Sequence, residues 1–323
     1  MSDAEIQVRV KQMRFEADTI LSVVFETLDG SSLPRAEPGA HVDVILSDDL
    51  RRSYSLTQAT DGTSPAYTVA VHRAPDSRGG SAHVHERLRV GDKLRLSRPK
   101  NNFPLDENAA MSVLIAGGIG ITPMLAMIRR LSEAGRPWHL HYAARRRRAA
   151  AFLTELGDCV ANSGGKGQVT THFDDEAKGA LLDIAGVFAS AEPDTHFYCC
   201  GPEPMLAAYE AAARDTAKDL VHVEYFSARE EVARDGGFEV VLNRSGKVLH
   251  VEPGETILDV LIANQVSVPF ACTEGTCGTC ETGVIEGRPD HRDVVLTDEE
   301  RAQNETMMVC CSGSKSARLV LDL

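Results

Sequence analysis

Residues 5–100 carry short runs of alternating apolar and polar side chains. Residues 7–11, 20–26, 41–46, 54–57, 67–72 and 93–96 alternate or are rich in β-branched residues, so each predicts a strand. Gly, Pro, Asp and Ser separate them, as at 34–39 and 60–65. Several short strands at this spacing predict a β-barrel or sandwich. The pattern changes near Asn108. Residues 112–116 form an apolar run, followed by glycines and a helical stretch to Leu131. Strands at 138–143, 169–173 and 194–199 then alternate with helices at 149–156 and 204–214. Strand–helix alternation predicts a parallel α/β sheet.

A third pattern follows Phe226. Residues 227–236 are polar and charged and read as a linker. Strands at 238–242 and 248–251 flank a hairpin turn at 243–246, and a helix at 256–264 leads into a cysteine-rich loop. The expected domains are therefore 1–106, 107–226 and 237–323, joined at 227–236. There is no internal repeat.

A length of 323 residues suits two or three such domains. A net charge of −13 argues against nucleic acid as a partner. Residues 237–323 hold 7 Lys and Arg against 14 Asp and Glu, so the last quarter is the acidic module. That face is either simply solvated or a docking surface for a basic partner. No apolar run approaches the roughly 20 residues of a membrane span. The acidic start, without an apolar stretch behind it, predicts no secretory signal and hence a cytoplasmic protein.

There are eight cysteines, clustered late in the chain. In such a chain metal or redox chemistry outranks disulfides. Cys272, Cys277 and Cys280 have the spacing C-x4-C-x2-C, and Cys310 follows 30 residues later. This is the spacing of a plant-type [2Fe-2S] cluster, in which each iron takes two thiolates. Gly275 and Gly278 suit a loop that needs positive φ and close backbone approach. The alternatives are a zinc site, which usually shows paired C-x2-C knuckles, or plain structural thiols. Cys311 adjoins Cys310. In a strand the two point to opposite faces, so only one ligates.

Two glycine-containing turns suggest a nucleotide site. Gly117, Gly118 and Gly120 lie between a strand and a helix that opens at Ile121-Thr122-Pro123, where free N–H groups favour a pyrophosphate. The spacing is not G-x-G-x-x-G, and a packing turn is the alternative. Cys200-Gly201-Pro202 closes a later strand. Ligands bind at the C-terminal ends of parallel strands, so both turns belong together. Cys200 is then either near the nicotinamide ring or a buried small hydrophobe.

In the β region, Tyr54 can cover a planar ring while Ser53 and Ser55 bond its edge and Arg52 meets a phosphate. Arg78, Gly79, Gly80 and Ser81 offer a cation, amides and a hydroxyl before a helical segment, a sensible phosphate cradle. Each alone also reads as an ordinary turn or exposed strand. A nicotinamide delivers two electrons as hydride and a [2Fe-2S] cluster accepts one, so a flavin is needed between them.

These motifs in this order, RRSYSL, VHR, RGGS, AGGIGITPM, YCCGPEPM, EYF, the cysteine loop, PDHRD and MMVCCSGSKS, resemble the phthalate dioxygenase reductase family. The resemblance spans nearly the whole chain. It implies a flavin β-barrel, an α/β nicotinamide domain and a C-terminal β-grasp ferredoxin domain. It implies FMN held by Arg52, Tyr54, Ser55, Gly80 and Ser81, with Ser53, Val71, His72, Arg78 and Gly79 beside them. It implies nicotinamide contacts at Gly118, Gly120, Thr122, Cys200, Gly201 and Pro202. Phe226 is expected to pack over the flavin where the nicotinamide enters, so Phe226 and Cys200 flank the hydride transfer. The implied function is NADH-dependent reduction of the Rieske centre of an oxygenase by a monomeric reductase.

Two departures stand out. Relatives commonly read C-V-S-R-A at the fourth ligand, whereas this chain reads Cys310-Cys311-Ser312-Gly313-Ser314. Arg145–Arg148 follow the second α/β strand, where a 2′-phosphate lies in NADPH enzymes, so NADPH joins NADH as a donor; a solvated basic turn is the alternative. A cytochrome P450 acceptor, a redox sensor without turnover, and a zinc-bearing structural module are the rival readings of the whole chain.

Overall fold

The alternation in the first hundred residues resolves into six antiparallel strands. The computed structural model describes residues 5–47, 50–75, 77, 79–226 and 231–323. The strands are β1 (Ile6–Ala17), β2 (Ile20–Thr27), β3 (His41–Ser47), β4 (Leu50–Ser55), β5 (Ala66–His72) and β6 (Lys93–Leu96), with helix α1 (Gly80–Glu86) before β6. Their order is β4-β3-β6-β1-β2-β5, and a Leu56–Val69 bridge brings the two ends together as a barrel. Val8, Val10, Val23 and Val42 are fully buried inside it. β1 runs past the expected residue 11 because register shifts at Val10/Gln12 and Phe15/Ala17 interrupt its period. β4 starts earlier than expected. Its charged Arg51 and Arg52 hide the alternation, but the ladder with β3 holds from Ser47–Leu50 to His41–Ser55.

The α/β part comprises β7 (Met111–Gly117), α2 (Ile121–Glu133), β8 (Trp138–Ala144), α3 (Leu153–Asn162), β9 (Gly167–Phe173), α4 (Ile184–Ala189), β10 (Thr195–Cys200), α5 (Glu203–Ala212) and β11 (Val221–Glu224). The strands form a parallel sheet in the order β11-β10-β7-β8-β9. The helix expected at 149–156 starts later, at Leu153. Ala151 gives its N–H to the Tyr142 hydroxyl (3.0 Å), and Phe152 takes φ 64°. Tertiary packing thus overrides the helix propensity of three alanines. β11 and α4 are too short to show a period.

Barrel and sheet share one core. Ala17, Ile20, Ala70 and Phe103 pack with Leu114, Met124, Leu125 and Tyr198. Burying each large apolar side chain contributes on the order of 1.5–3 kcal/mol. The Arg129 guanidinium also donates to the Thr57 carbonyl (3.0 Å). Residues 1–226 accordingly form a single unit.

The second unit, 227–323, contains β12 (Phe238–Leu242), β13 (Val248–Val251), α6 (Ile257–Ala263), β14 (Glu281–Glu286), β15 (Pro289–Asp290), α7 (Asp298–Gln303), β16 (Thr306–Met308), β17 (Gly313–Ser314) and β18 (Arg318–Leu321). The main sheet has the order β13-β12-β18-β14-β16, with β12 and β18 parallel and α6 packed on its core. This is a β-grasp arrangement. Thr256 caps α6 in a reciprocal bond with Asp259. Residues 231–236, expected to belong to a linker, are tied to this unit. Val232 packs on its core, Ala233 donates to the Cys311 carbonyl (2.8 Å), and Gly254 donates to the Arg234 carbonyl (2.8 Å).

Candidate nucleotide, flavin and iron–sulfur sites

The two glycine-containing turns interlock at the C-terminal edge of the parallel sheet. A Cβ on Gly120 would lie 2.1 Å from the Cys200 carbonyl oxygen, and one on Gly117 2.5 Å from Pro202 Cδ. Gly118 takes φ 54°, and its carbonyl accepts a bond from the Tyr142 hydroxyl (3.2 Å). A short 3-10 turn, Gly118–Gly120, leads into α2 at Ile121. Thr122 is buried and its hydroxyl donates to the Ile119 carbonyl (3.0 Å). The sheet thus brings Gly118, Gly120, Thr122, Cys200, Gly201 and Pro202 together.

Cys200 is fully buried, and burial pushes its thiol well above the ordinary range. It lies beside Glu224, its neighbour across the β10–β11 ladder. Glu224 meets the barrel as well: the Ser55 hydroxyl lies 3.5 Å from Oε2. Burial of this carboxyl pushes its pKa up to about 8, against the opposing pull of the Ser55 and Cys200 hydrogen bonds. Phe226, two residues beyond, is 38% exposed.

Of the flavin candidates, Arg52 on β4 and Gly80 on α1 come together. A Cβ on Gly80 would lie 2.4 Å from Arg52 Cγ, so the β4 and α1 motifs touch. Gly79 takes φ 93° ahead of α1. Burial pushes the Tyr54 phenol up to about 12. The serines divide their work. Ser53 donates to Asp43 (2.6 Å), Ser81 accepts from the Ala74 amide (3.2 Å) and donates to Ser77 (2.9 Å), and Ser55 faces Glu224. Val71 is buried and its carbonyl contacts the His85 ring (2.9 Å). His72 is exposed as a residue, and partial desolvation of its ring, with His85 and Arg145 nearby, lowers its basicity. Arg78 lies outside the described residues.

Of Arg145–Arg148, two have structural tasks. Arg147 pairs with Glu176 (3.1 Å) and covers the Phe173 ring at 4.5 Å, and Arg148 pairs with Asp18 (2.8 Å). Arg145 and Arg146 are exposed just beyond β8.

In the second unit, Cys272, Cys277, Cys280 and Cys310 are buried and stand outside any disulfide. Gly275 and Gly278 both take φ 73°, and Thr273 φ 61°. The amides of Glu274 and Thr276 point at Cys272 Sγ, each at 3.4 Å. The neighbouring Cys277 and Cys310 thiols lower the Cys272 thiol below its ordinary range, and Cys310 packs in one cluster with Cys280 and Cys311. Four buried cysteines with two backbone amides aimed at one of them are the donor set of an iron–sulfur site. Among the described residues no three side chains converge as on one metal ion. A two-iron cluster asks only two thiolates of the protein per iron, whereas zinc asks for four on one ion. Cys310 and Cys311 lie in a turn after β16, not in the strand expected, so the alternation of faces does not separate them, and the Cys310 thiol neighbours that of Cys311 as well. Cys311 Sγ faces the Met308 carbonyl (3.7 Å) and Gly275. Gly313 is buried, where a Cβ would lie 2.9 Å from Ala233 Cβ.

Sequence reasoning gave Glu224 no role. A lone glutamate closing a four-residue strand carries no spacing signal; only the ladder partner Cys200 reveals it.

Fold and sites together define an oxidoreductase with a nucleotide-binding sheet and its own iron–sulfur module. Residues 114–211 match the family described as oxidoreductase NAD-binding domain, and residues 240–314 the 2Fe-2S iron-sulfur cluster binding domain. The chain is 47% identical to a phenoxybenzoate dioxygenase subunit beta of Ectopseudomonas oleovorans, over 99% of this chain and 98% of that protein. It is 48% identical to a tetrachlorobenzoquinone reductase of Sphingobium chlorophenolicum, over 98% of each. The solved structure of phthalate dioxygenase reductase, described as a modular structure for electron transfer from pyridine nucleotides to [2Fe-2S], superposes with a TM-score of 0.76. It is 36% identical, over 99% of this chain and 98% of that one. The chain belongs to the phthalate dioxygenase reductase family. Among the described residues no helix is long and apolar enough to cross a membrane.

Proposed function

We propose that this protein is the NADH-oxidising reductase of an oxygenase system, using FMN and a [2Fe-2S] cluster to reduce a Rieske-type partner. The observation that carries it is the seam between barrel and sheet. There the flavin candidate Ser55 and the nucleotide candidate Cys200 come within reach of one carboxyl, Glu224. A reductase needs its two ring-binding surfaces to face each other, because alignment rather than acid–base chemistry governs the step. When bound, FMN turns a two-electron donor into single electrons and the cluster passes them on.

The residues then divide the work. Arg52, Gly79 and Gly80 receive the flavin phosphate, with Val71 and His72 as further candidates, and Tyr54 covers the ring. Ser53 and Ser81, committed to Asp43, Ala74 and Ser77, shape these loops. Gly118, Gly120, Thr122, Gly201 and Pro202 form the pyrophosphate turn. Cys200 and Phe226 flank the nicotinamide. Cys272, Cys277, Cys280 and Cys310 hold the irons. The domain limits are 1–106, 107–226 and a ferredoxin module to 323, in a monomer working in the cytoplasm, where thiols stay reduced.

The test is an anaerobic visible-absorption titration with NADH, followed by mixing with a purified Rieske protein or a cytochrome P450. Bleaching of a flavin band and a red-brown envelope at about three electrons per chain, followed by reoxidation with the Rieske protein, supports the reading. The stoichiometry is two electrons for a flavin plus one for the cluster. Faster reoxidation by the P450 would change the partner. A coloured protein that NADH leaves unbleached would point to a sensor.

A further inference from the structure

The PDHRD motif has no task in the function just described, yet it lies against both halves of the iron–sulfur site. On one side, Val294 donates to the Gly275 carbonyl (3.0 Å). A Cβ on Gly275 would lie 2.8 Å from Asp293 Cα and 2.9 Å from its Cβ. The three-cysteine loop is therefore seated on Asp293. On the other side, Arg292 donates its N–H to Ser312 Oγ (3.3 Å), and Asp290 pairs with Gly313 in the β15–β17 ladder. The Arg292 guanidinium and Lys315 hold the Asp290 carboxylate, the latter at 3.4 Å.

Asp293 itself is 3% exposed. Its Oδ2 accepts the amides of Val295 (3.1 Å) and Leu296 (2.8 Å). Arg301, on α7, donates to its main-chain carbonyl, while its guanidinium stays 3.9 Å from Oδ2. The His291 ring is 3.9 Å from Oδ1, and Oδ1 accepts no hydrogen bond among the described residues. A buried carboxylate this incompletely compensated is costly for stability alone. Its charge reaches its surroundings through a low dielectric.

We infer that Asp293 is a positioning residue of the iron–sulfur site: within the Pro289–Asp293 clamp it joins the three-cysteine loop to the fourth-ligand segment and fixes a negative charge beneath that loop. The inference rests on the reading that the four cysteines hold a [2Fe-2S] cluster. Reduction adds an electron beside an existing negative charge, so Asp293 favours the oxidised form. Groups that orient metal ligands from behind typically change metal affinity by roughly 10–100-fold when replaced.

The experiment compares full-length parent, Asp293→Asn and Arg301→Gln. It reads the cluster midpoint potential, the EPR spectrum of the reduced cluster and the rate of iron loss to a chelator. NADH reduction of the flavin serves as the folding control. Asp293→Asn keeps the side-chain shape and loses the charge, so the midpoint rises, the EPR anisotropy changes and iron leaves roughly 10–100-fold faster. Arg301→Gln removes the compensating cation, so the midpoint falls. A purely structural role would lower thermal stability in both variants and leave the midpoint unmoved, and that result overturns the inference. If Asp293→Asn accumulates without a cluster, the direction of the Arg301→Gln shift decides. A parent protein lacking any cluster would refute the underlying reading instead.

Discussion

The hydroxyl of Ser55 and the carboxyl of Glu224 meet across the seam between barrel and nucleotide sheet, Oγ to Oε2 at 3.5 Å. Ser55 belongs to β4 and Glu224 closes β11, so 169 residues of chain separate them. The fully buried Cys200 thiol completes the group from the adjacent strand. Glu224 keeps some exposure as a residue, but its carboxyl head is enclosed by these neighbours.

That enclosure predicts a pH dependence of stability. In the folded protein burial holds Glu224 protonated up to about 8, whereas the unfolded chain releases the proton in the ordinary carboxylate range. Between those values the folded state binds the extra proton, so stability falls as pH rises through this window. Glu224→Gln is neutral at every pH and removes this contribution. Melting temperatures from pH 5 to 8.5 should therefore decline more steeply for the parent than for the variant. Parallel slopes would show that the carboxyl is solvated.

Glycine substitutions should separate backbone contacts from side-chain contacts. At Gly120 an added methyl meets the Cys200 main chain, oxygen at 2.1 Å and carbon at 2.5 Å. Neither strand nor turn yields easily, so Gly120→Ala should destabilise by roughly 1–3 kcal/mol and raise the KM for NADH. At Gly80 the added methyl meets the movable Arg52 side chain at 2.4 Å. Gly80→Ala should leave the melting temperature nearly unchanged and weaken FMN retention, as read by equilibrium dialysis. Equal effects of the two variants on KM would contradict this division.

The four consecutive arginines reduce to two candidates for coenzyme choice. Arg147 and Arg148 are held by Glu176 and Asp18, leaving Arg145 and Arg146 exposed beyond β8. A 2′-phosphate is recognised there by arginine, with each charge-assisted bond worth about 1.5–3 kcal/mol. NADPH should therefore be oxidised alongside NADH. The double variant Arg145→Ala/Arg146→Ala should lose at least tenfold in kcat/KM for NADPH, a conservative bound on those bonds, and little for NADH. Equal losses for both nucleotides would reduce the pair to a solvated basic turn.

The chemistry was most legible where spacing alone carries it. The cysteine loop and the two turns of the parallel sheet announce themselves, because close backbone approach demands glycine at fixed offsets. Strand–helix alternation likewise marked the sheet's long elements. Legibility failed where tertiary contacts decide. Ala149-Ala150-Ala151 reads as helix until the Tyr142 hydroxyl takes the Ala151 amide. Residues 227–236 read as linker because they are polar and charged, yet Val232 packs on the ferredoxin core. Glu224 acquires its role only through Cys200 and Ser55, which are distant in sequence.

The adjacent pair Cys310-Cys311 offers the sharpest test of the cluster assignment. Both sulfurs are buried in the same turn, so burial cannot rank them. Their neighbours can. Cys310 neighbours Cys272, Cys280 and Cys311, whereas the other neighbours of Cys311 Sγ are the Met308 carbonyl (3.7 Å), the Ser312 hydroxyl (3.8 Å) and the space above Gly275. Cys310→Ser should therefore lose most of its iron and sulfide and the red-brown absorption, while still reducing its flavin with NADH. Cys311→Ser should keep the full complement and its EPR signal, because a hydroxyl of similar size retains those polar neighbours. If instead Cys311→Ser loses the cluster and Cys310→Ser retains it, the ligand assignment shifts by one residue. The seat of Gly275 against Cys311 would then be part of the metal site itself.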